Sequence, residues 1–182
     1  MPEFTPPPKF DVRQAAEASR ILAGQNLLSE YERLMAETKV LGAQNVLSWS
    51  AQAERRQDAA GQTQNWLHLN VVVSLPLTCQ RCLGPVDVGL QIAREFRFVA
   101  SEEVAEQQDD DCEEDLLVQS REFDLAGLIE DEVLLALPLV PRHDACPQAP
   151  TLSAVDADFD DGAPAKPNPF AVLAGLKGKS GA

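Results

Sequence analysis

The sequence predicts an α+β fold, in which an antiparallel sheet or a partly open barrel carries flanking helices and a flexible C-terminal tail follows. Three central segments alternate apolar and polar residues with a period of two, which is typical of half-buried strands. Segments on either side show helical spacing instead. A length of 182 residues suits one such domain with a tail. We therefore expect a single domain over residues 1–146, and a linker and tail over 147–182.

The N-terminal part is predicted to be helical. Residues 11–22 place their apolar side chains at helical spacing. A second helix is expected to begin at Ser29, because Ser29 and Glu32 have the spacing of a capping box.

The centre of the chain predicts three neighbouring strands at residues 47–53, 67–75 and 86–98. Arg94 falls on the inward phase of the third strand. Since a buried unpaired charge is costly, we expect a bulge or a bend that lets Arg94 reach solvent. Polar residues 55–64 are expected to form the loop between the first two strands, and 116–118 a short further strand.

A strongly acidic segment follows, with nine acids in the fourteen positions of residues 102–115. Such a run repels itself and predicts a solvated loop. The alternative is a surface that attracts basic proteins or mimics the charge of a nucleic acid.

The best-defined helix is predicted over residues 125–137, with Asp124 as its N-cap and Pro138 ending it. The neighbouring acids Glu130, Asp131 and Glu132 interrupt its apolar face. We interpret them as a solvated helix edge.

The charge balance limits the function. Twenty-nine acids against 15 bases give a net charge of −14, which opposes general binding to a phosphate backbone. A role on RNA would need a local basic site or a protein partner. The first residues show no secretory signal and no segment is apolar enough to span a membrane. We therefore expect a cytoplasmic protein with no membrane partner, whose cysteines are reduced.

A cysteine pair lies in the turn between the second and third predicted strands. Cys79 and Cys82 have the spacing with which a tight loop can hold zinc, and Cys146 is a third candidate ligand. Either His143 or Cys112 could complete the set. Two other interpretations stay open: a redox pair, although a strand and not a helix follows it, and an ordinary tight turn with no ligand. The sequence alone commits to no cofactor, and zinc is the ion that such a set would hold.

The C-terminal tail predicts a short amphipathic segment. Asn168 can cap a helix with Pro169 in its first position, and Phe170, Leu173 and Leu176 then recur on one side. Such a segment can fold back onto the sheet or dock into a groove of a partner.

Three stretches in this order resemble the YceD family, the large ribosomal RNA subunit accumulation proteins. They are the turn at residues 79–85, the helix and its exit at 124–144, and the tail motif at 166–173. The resemblance extends over about residues 67–177. It implies a cytoplasmic bacterial protein needed for synthesis, processing or stability of 23S rRNA, with no catalytic residues to carry over. Other branches of the family have a second cysteine cluster after the helix, where this chain keeps only Cys146.

The leading prediction is therefore a non-enzymatic ribosome-biogenesis factor that binds ribosomal or ribosome-assembly proteins, touches rRNA locally at most, and has no small-molecule substrate. Its candidate contact residues are Arg81 in the cysteine turn and Phe170, Leu173 and Leu176 in the tail.

Two alternatives belong to other functional classes. A metal-dependent RNA-processing hydrolase would need an acidic constellation, for which the candidates are Glu130, Asp131, Glu132 and His143. A direct RNA-binding module could stack bases on Trp66 and His68.

Overall fold

The structure is a computed structural model that describes residues 6–39, 41–58, 60–109 and 112–148. The predicted amphipathic tail, with Phe170, Leu173 and Leu176, lies outside the described residues. No helix in the described part is long and apolar enough to cross a membrane. The elements in chain order are β1 (Lys9–Phe10), α1 (Val12–Glu17), β2 (Ile21–Leu27), a 3-10 turn (Leu28–Glu30), α2 (Glu32–Glu37), β3 (Val46–Gln57), β4 (Thr63–Thr78), β5 (Pro85–Val99), α3 (Glu102–Gln108), β6 (Asp115–Val118), β7 (Phe123–Asp124) and α4 (Leu125–Leu135).

An open five-stranded sheet with the strand order β2-β3-β4-β5-β6 forms the centre of the described part. The pairs from β2 to β5 are antiparallel, whereas β6 runs parallel to β5, with Asp115 opposite Phe96. A separate antiparallel pair joins β1 to β7. The α+β prediction is confirmed, and the sheet is mixed and open rather than closed into a barrel.

The core lies between one face of this sheet and the helices α1, α2 and α4. Alternate residues of β3 and β4 point into it, as their period-two pattern predicted. Helix α4 contributes one apolar side, and α1 and α2 add further buried residues. The side chains that are almost fully buried include Val12, Leu34, Leu47, Leu67, Leu69, Val71, Leu75, Phe96, Leu125, Ile129 and Val133.

The predicted N-terminal helix is correct only in its first half. Asp11 caps α1 as its carboxylate accepts the N–H of Gln14 at 3.1 Å. The helix ends after Glu17, and Ser19 adopts a positive φ of 47° as the chain turns. Ile21 then begins a strand that the sequence did not predict, because pairing with β3 overrides the local helical spacing.

The capping box predicted at Ser29 is wrong, because Ser29 lies in the 3-10 turn and α2 starts three residues later. Glu30 makes the local contacts instead. Its carboxylate accepts the backbone N–H of Leu27 at 3.2 Å and the side-chain amide of Asn26 at 2.9 Å. Asn26 is buried and accepts the indole N–H of Trp49 at 2.8 Å, which ties β2 to β3.

The acidic segment predicted as a loop over 102–115 begins with helix α3 and ends in β6. Its acids also have partners within the chain. The buried guanidinium of Arg97 donates from Nε to Glu114 at 2.6 Å and from Nη1 to Gln108 at 2.9 Å. The segment is therefore attached to β5 by an arginine that the local acidic pattern did not reveal.

Arg94 reaches solvent without a bulge. It pairs with Leu69 in an uninterrupted β4–β5 register, and its side chain is 46% exposed. The guanidinium forms ion pairs with Asp115 and, at 3.3 Å, with the buried Glu132 of α4. Burial raises the pKa of Glu132, and the charge of Arg94 opposes that rise. The charge of Arg94 is thus compensated by ion pairs with β6 and α4.

We expect Arg94→Met to lower stability because it leaves Glu132 buried without its counter-charge. The loss should be about 1–2 kcal/mol near pH 8, since Arg94 is half exposed. The pKa of Glu132 is raised in the folded state, so its carboxyl becomes neutral as pH falls through that pKa. The destabilisation caused by the unpaired charge should then disappear. Urea denaturation at several pH values measures this. Arg94→Met/Glu132→Gln should recover most of the loss; an equal deficit at every pH at which the chain stays folded would contradict the explanation.

Candidate metal centre

The first half of the site is the tight turn that joins β4 to β5. Cys79 donates its backbone N–H to the carbonyl of Gly84 at 2.8 Å, and Leu83 donates to the carbonyl of Cys79 at 2.9 Å. Leu83 adopts a positive φ of 60° to close the turn. These bonds hold Cys79 and Cys82 at the two sides of one small loop.

The second half of the site is the chain segment that leaves α4. The helix ends at Leu135, and the prolines that follow prevent its continuation. The exit segment then runs beside the cysteine turn, where Gln80 donates its backbone N–H to the carbonyl of Pro141 at 2.8 Å. This contact brings His143 and Cys146 next to the turn.

Four side chains meet where the two halves join. The ligand atoms of Cys79, Cys82, His143 and Cys146 all lie within 4.8 Å of one another. Two contacts define the group: Cys79 Sγ to Cys146 Sγ at 3.9 Å, and Cys82 Sγ to His143 Nδ1 at 3.5 Å. Cys79 is fully buried and the other three are partly buried. We call this group the Cys3His cluster.

The structure thus brings together the three predicted cysteine ligands and selects the fourth member. Of the two candidates, His143 joins the cluster. Cys112 lies elsewhere, with its thiol 3.4 Å from the carbonyl of Glu114. All four cysteines are free thiols, so no disulfide competes for them.

The local electrostatics favour the thiolate form of Cys79 and disfavour that of Cys146. Burial opposes ionisation of Cys79, but hydrogen bonds from the backbone N–H groups of Cys82, His143 and Arg81 and from the His143 ring lower its pKa to about 5. Burial raises the pKa of Cys146, and the neighbouring sulfurs of Cys82 and Cys79 raise it further. Several thiolates so close together repel each other, and a bound dication would remove that repulsion.

The donor set suits a metal ion of intermediate softness. Three thiolates and one imidazole are a common ligand set of tetrahedral zinc sites. Backbone N–H groups directed at a sulfur support a coordinating thiolate, because they stabilise its negative charge. The Cys3His cluster could therefore bind a metal such as zinc.

The acids considered for a hydrolase have separate structural partners. Glu130 accepts Nε of Arg33 at 2.9 Å and also the backbone N–H groups of Arg33 and Leu34, at 2.8 and 3.3 Å, where α2 begins. Asp131 accepts Nη1 of Arg33 at 2.6 Å. Glu132 faces Arg94 instead. In the described part, only the Cys3His cluster gathers three or more potential metal ligands.

The predicted base-stacking residues are also engaged within the chain. The guanidinium of Arg56 lies 4.6 Å from the ring centre of Trp66. His68 lies between two carboxylates, 3.1 Å from Glu54 and 3.1 Å from Glu95. Arg81, the predicted contact residue in the turn, is exposed beside the Cys3His cluster.

His143 is the functional residue that the sequence left undecided, and a spacing signal for it exists. His143 and Cys146 are separated by two residues, as are Cys79 and Cys82. Two ligand pairs of equal spacing are typical of zinc ribbons. Reading the second pair as His-x-x-Cys would have identified the complete set.

Fold and site together define a small α+β protein in which a sheet turn and a helix exit share a Cys3His cluster. The family model described as "Large ribosomal RNA subunit accumulation protein YceD" matches residues 67–177, which include the whole cluster. The chain belongs to the YceD family.

A curated relative supports this assignment. A protein of the same description from Haemophilus influenzae is 38% identical over 112 residues, which are 60% of this chain and 63% of the relative. The chain therefore spans less than two thirds of that relative's length. No solved structure matches the chain.

We expect Glu130→Ala to act on stability, because two backbone N–H groups at the start of α2 lose their acceptor. The loss should be about 1–2 kcal/mol in urea denaturation. Asp131→Asn is the matched control: its carboxylate is more exposed and contacts only the side chain of Arg33, so it should cost less. Unchanged stability of Glu130→Ala would argue against this capping role.

Proposed function

We propose that this chain is a non-enzymatic ribosome-biogenesis factor that supports synthesis, processing or stability of 23S rRNA in the bacterial cytoplasm. The observation that carries the proposal is the family match over residues 67–177. The relative from Haemophilus influenzae bears a name that refers to accumulation of large ribosomal subunit RNA. Both the cysteine turn and the exit from α4 lie inside the matched part.

Protein partners suit this chain better than a long stretch of RNA does. The net charge is −14, and most described arginines already pair with carboxylates of the same chain. The arginines in such pairs are Arg13, Arg33, Arg55, Arg56, Arg94 and Arg97. Little positive charge is left to neutralise phosphates, so the proposed partners are ribosomal or ribosome-assembly proteins, with local rRNA contact at Arg81.

The Cys3His cluster is proposed to hold one zinc ion with a structural role. Four protein ligands leave no open coordination position for water or substrate, which is the usual arrangement of a structural site. Bound zinc would link the exit segment after α4 to the β4–β5 turn. Cys79 and Cys82 would supply one side of the site, and His143 and Cys146 the other.

Zinc binding can be measured directly on the full chain. We expect about one zinc ion per chain by elemental analysis, and thiolate-to-metal absorption bands when cobalt is substituted. Cys146→Ser and His143→Ala should each weaken binding by more than about 100-fold, because each removes a ligand. Removal of zinc by a chelator should lower the melting temperature, because the bound ion stabilises only the folded state.

Cys112→Ser is the matched control for these variants, because Cys112 is a free thiol outside the cluster. It should bind zinc as the unaltered chain does. An equal loss of binding in Cys112→Ser, or a purified chain that takes up no metal, would refute the proposed site.

The proposed protein contacts include the C-terminal tail. We expect a chain that ends at Pro164 to recover fewer ribosomal and assembly proteins from lysate than the full chain, in co-purification with crosslinking. Phe170→Ser/Leu173→Ser should show the same defect, since both residues are on the predicted apolar side. Recovery should fall at high salt if charged contacts contribute.

Ala171→Ser is the matched control, because Ala171 lies on the side of the predicted helix opposite Phe170, Leu173 and Leu176. Equal recovery from the full and the shortened chain would remove the tail from the proposal. A full chain that captures no ribosomal protein, rRNA or maturation factor would contradict the proposed function itself.

A further inference from the structure

Within the Cys3His cluster, all ligand atoms lie within 4.8 Å of one another, and the sulfurs of Cys79 and Cys146 are within hydrogen-bonding distance. Cys79 Sγ lies 3.9 Å from Cys146 Sγ, whereas the neighbour of Cys82 Sγ is the ring nitrogen of His143. A disulfide bond has a length of about 2.05 Å, so its formation would need an approach of about 2 Å. The two cysteines are 67 residues apart in sequence and belong to different halves of the site.

The two sulfurs also differ in their access to solvent. Cys79 is fully buried under the turn. Cys146 is only partly buried and lies near the end of the described chain. A soluble oxidant would therefore meet Cys146 first, and Cys79 would be the adjacent thiol that can resolve the oxidised product.

We propose that Cys79 and Cys146 form an oxidation site, at which a peroxide joins the two sulfurs and thereby dismantles the metal site. The proposal rests on the zinc site proposed above. It adds a regulation of that site: the cluster holds the ion only while both thiols are reduced.

The chemistry is a two-electron oxidation with a peroxide as the named oxidant. The metal-free cluster disfavours the Cys146 thiolate, but as a zinc ligand Cys146 would be ionised. This thiolate attacks one oxygen of hydrogen peroxide, an S–O bond forms, the O–O bond breaks, and the departing hydroxide takes a proton to become water. The Cys79 thiolate then attacks the Cys146 sulfur. The S–S bond forms, the S–O bond breaks, and the second hydroxide takes a proton. Two thiolates are oxidised, and one peroxide and two protons become two waters.

The product has a consequence for the fold. Only Cys82 and His143 remain as ligands, which are too few to retain a structural zinc ion. The new bond still joins the exit segment to the β4–β5 turn, because each half of the site contributes one sulfur. A disulfide between Cys79 and Cys82 would lie within the turn and would leave the exit segment without a covalent link.

The test uses the full chain loaded with zinc and then treated with hydrogen peroxide. A colorimetric chelator follows zinc release, and mass spectrometry of peptides under non-reducing conditions identifies the disulfide. We expect release of about one zinc ion per chain together with a Cys79–Cys146 disulfide, both reversed by a dithiol and added zinc. Cys112→Ser should behave as the unaltered chain does.

Three outcomes would overturn the inference: a dominant disulfide that involves Cys82, with either Cys79 or Cys146; zinc retained after peroxide; or zinc lost with Cys146 over-oxidised and no disulfide formed. Failure of the zinc site would be seen earlier, as a chain that binds no metal before peroxide is added. In that case the reduced, metal-free chain is treated with peroxide at alkaline pH, where the Cys146 thiol ionises. A Cys79–Cys146 disulfide there would support the oxidation site and refute only the metal.

Discussion

The antiparallel pairing of β4 with β5 is the constraint on which the rest of the described structure depends. The pairing is continuous from Asn65 opposite Phe98 to Thr78 opposite Pro85. At its closed end it forms the cysteine turn, and at its open end it leads into the acidic segment and β6. A slip of one residue would turn the buried side chains of β4 to solvent, so the hydrophobic pattern specifies the register strongly. The same register places Arg94 opposite Leu69 and within reach of α4.

The acidic chain neutralises most of its described arginines internally. Arg33 joins the start of α2 to α4, Arg94 joins β5 to α4 and β6, and Arg97 attaches the acidic segment. Carboxylates that resemble a catalytic group in sequence therefore act as acceptors for helix termini and guanidinium groups. In this arrangement the carboxylates join elements of the fold through ion pairs, and few positively charged side chains are left to contact the phosphates of a nucleic acid. It supports a factor that works through proteins, as proposed.

The Cys3His cluster lies where the exit segment after α4 contacts the β4–β5 turn, and this position relates the fold to the proposed function. Helix α4 ends at the level of the β4–β5 turn, and the hydrogen bond from Gln80 to Pro141 holds its exit segment there. The exit segment leads toward the tail, which is proposed to bind partners. Either a metal ion or a disulfide at the cluster would link the start of the exit segment to the β4–β5 turn. Control of the cluster would therefore act on the segment that connects the folded domain to its proposed contacts.

The sequence by itself determined the α+β class, the three central strands, α4 with its Asp124 cap, and three cysteines of the cluster. The cap is present in the structure, where the Asp124 carboxylate accepts the N–H of Gly127 at 3.1 Å. These features follow from local signals: periodicity, capping residues and close spacing. It did not determine β2, the helix within the acidic segment, or the partners of Arg94 and Glu130. Only the tertiary structure decided those, and with them the choice of His143 over Cys112. Strand pairing, ion pairs and ligand geometry depend on contacts between residues that are far apart in sequence. A local sequence pattern does not show which of these residues come into contact.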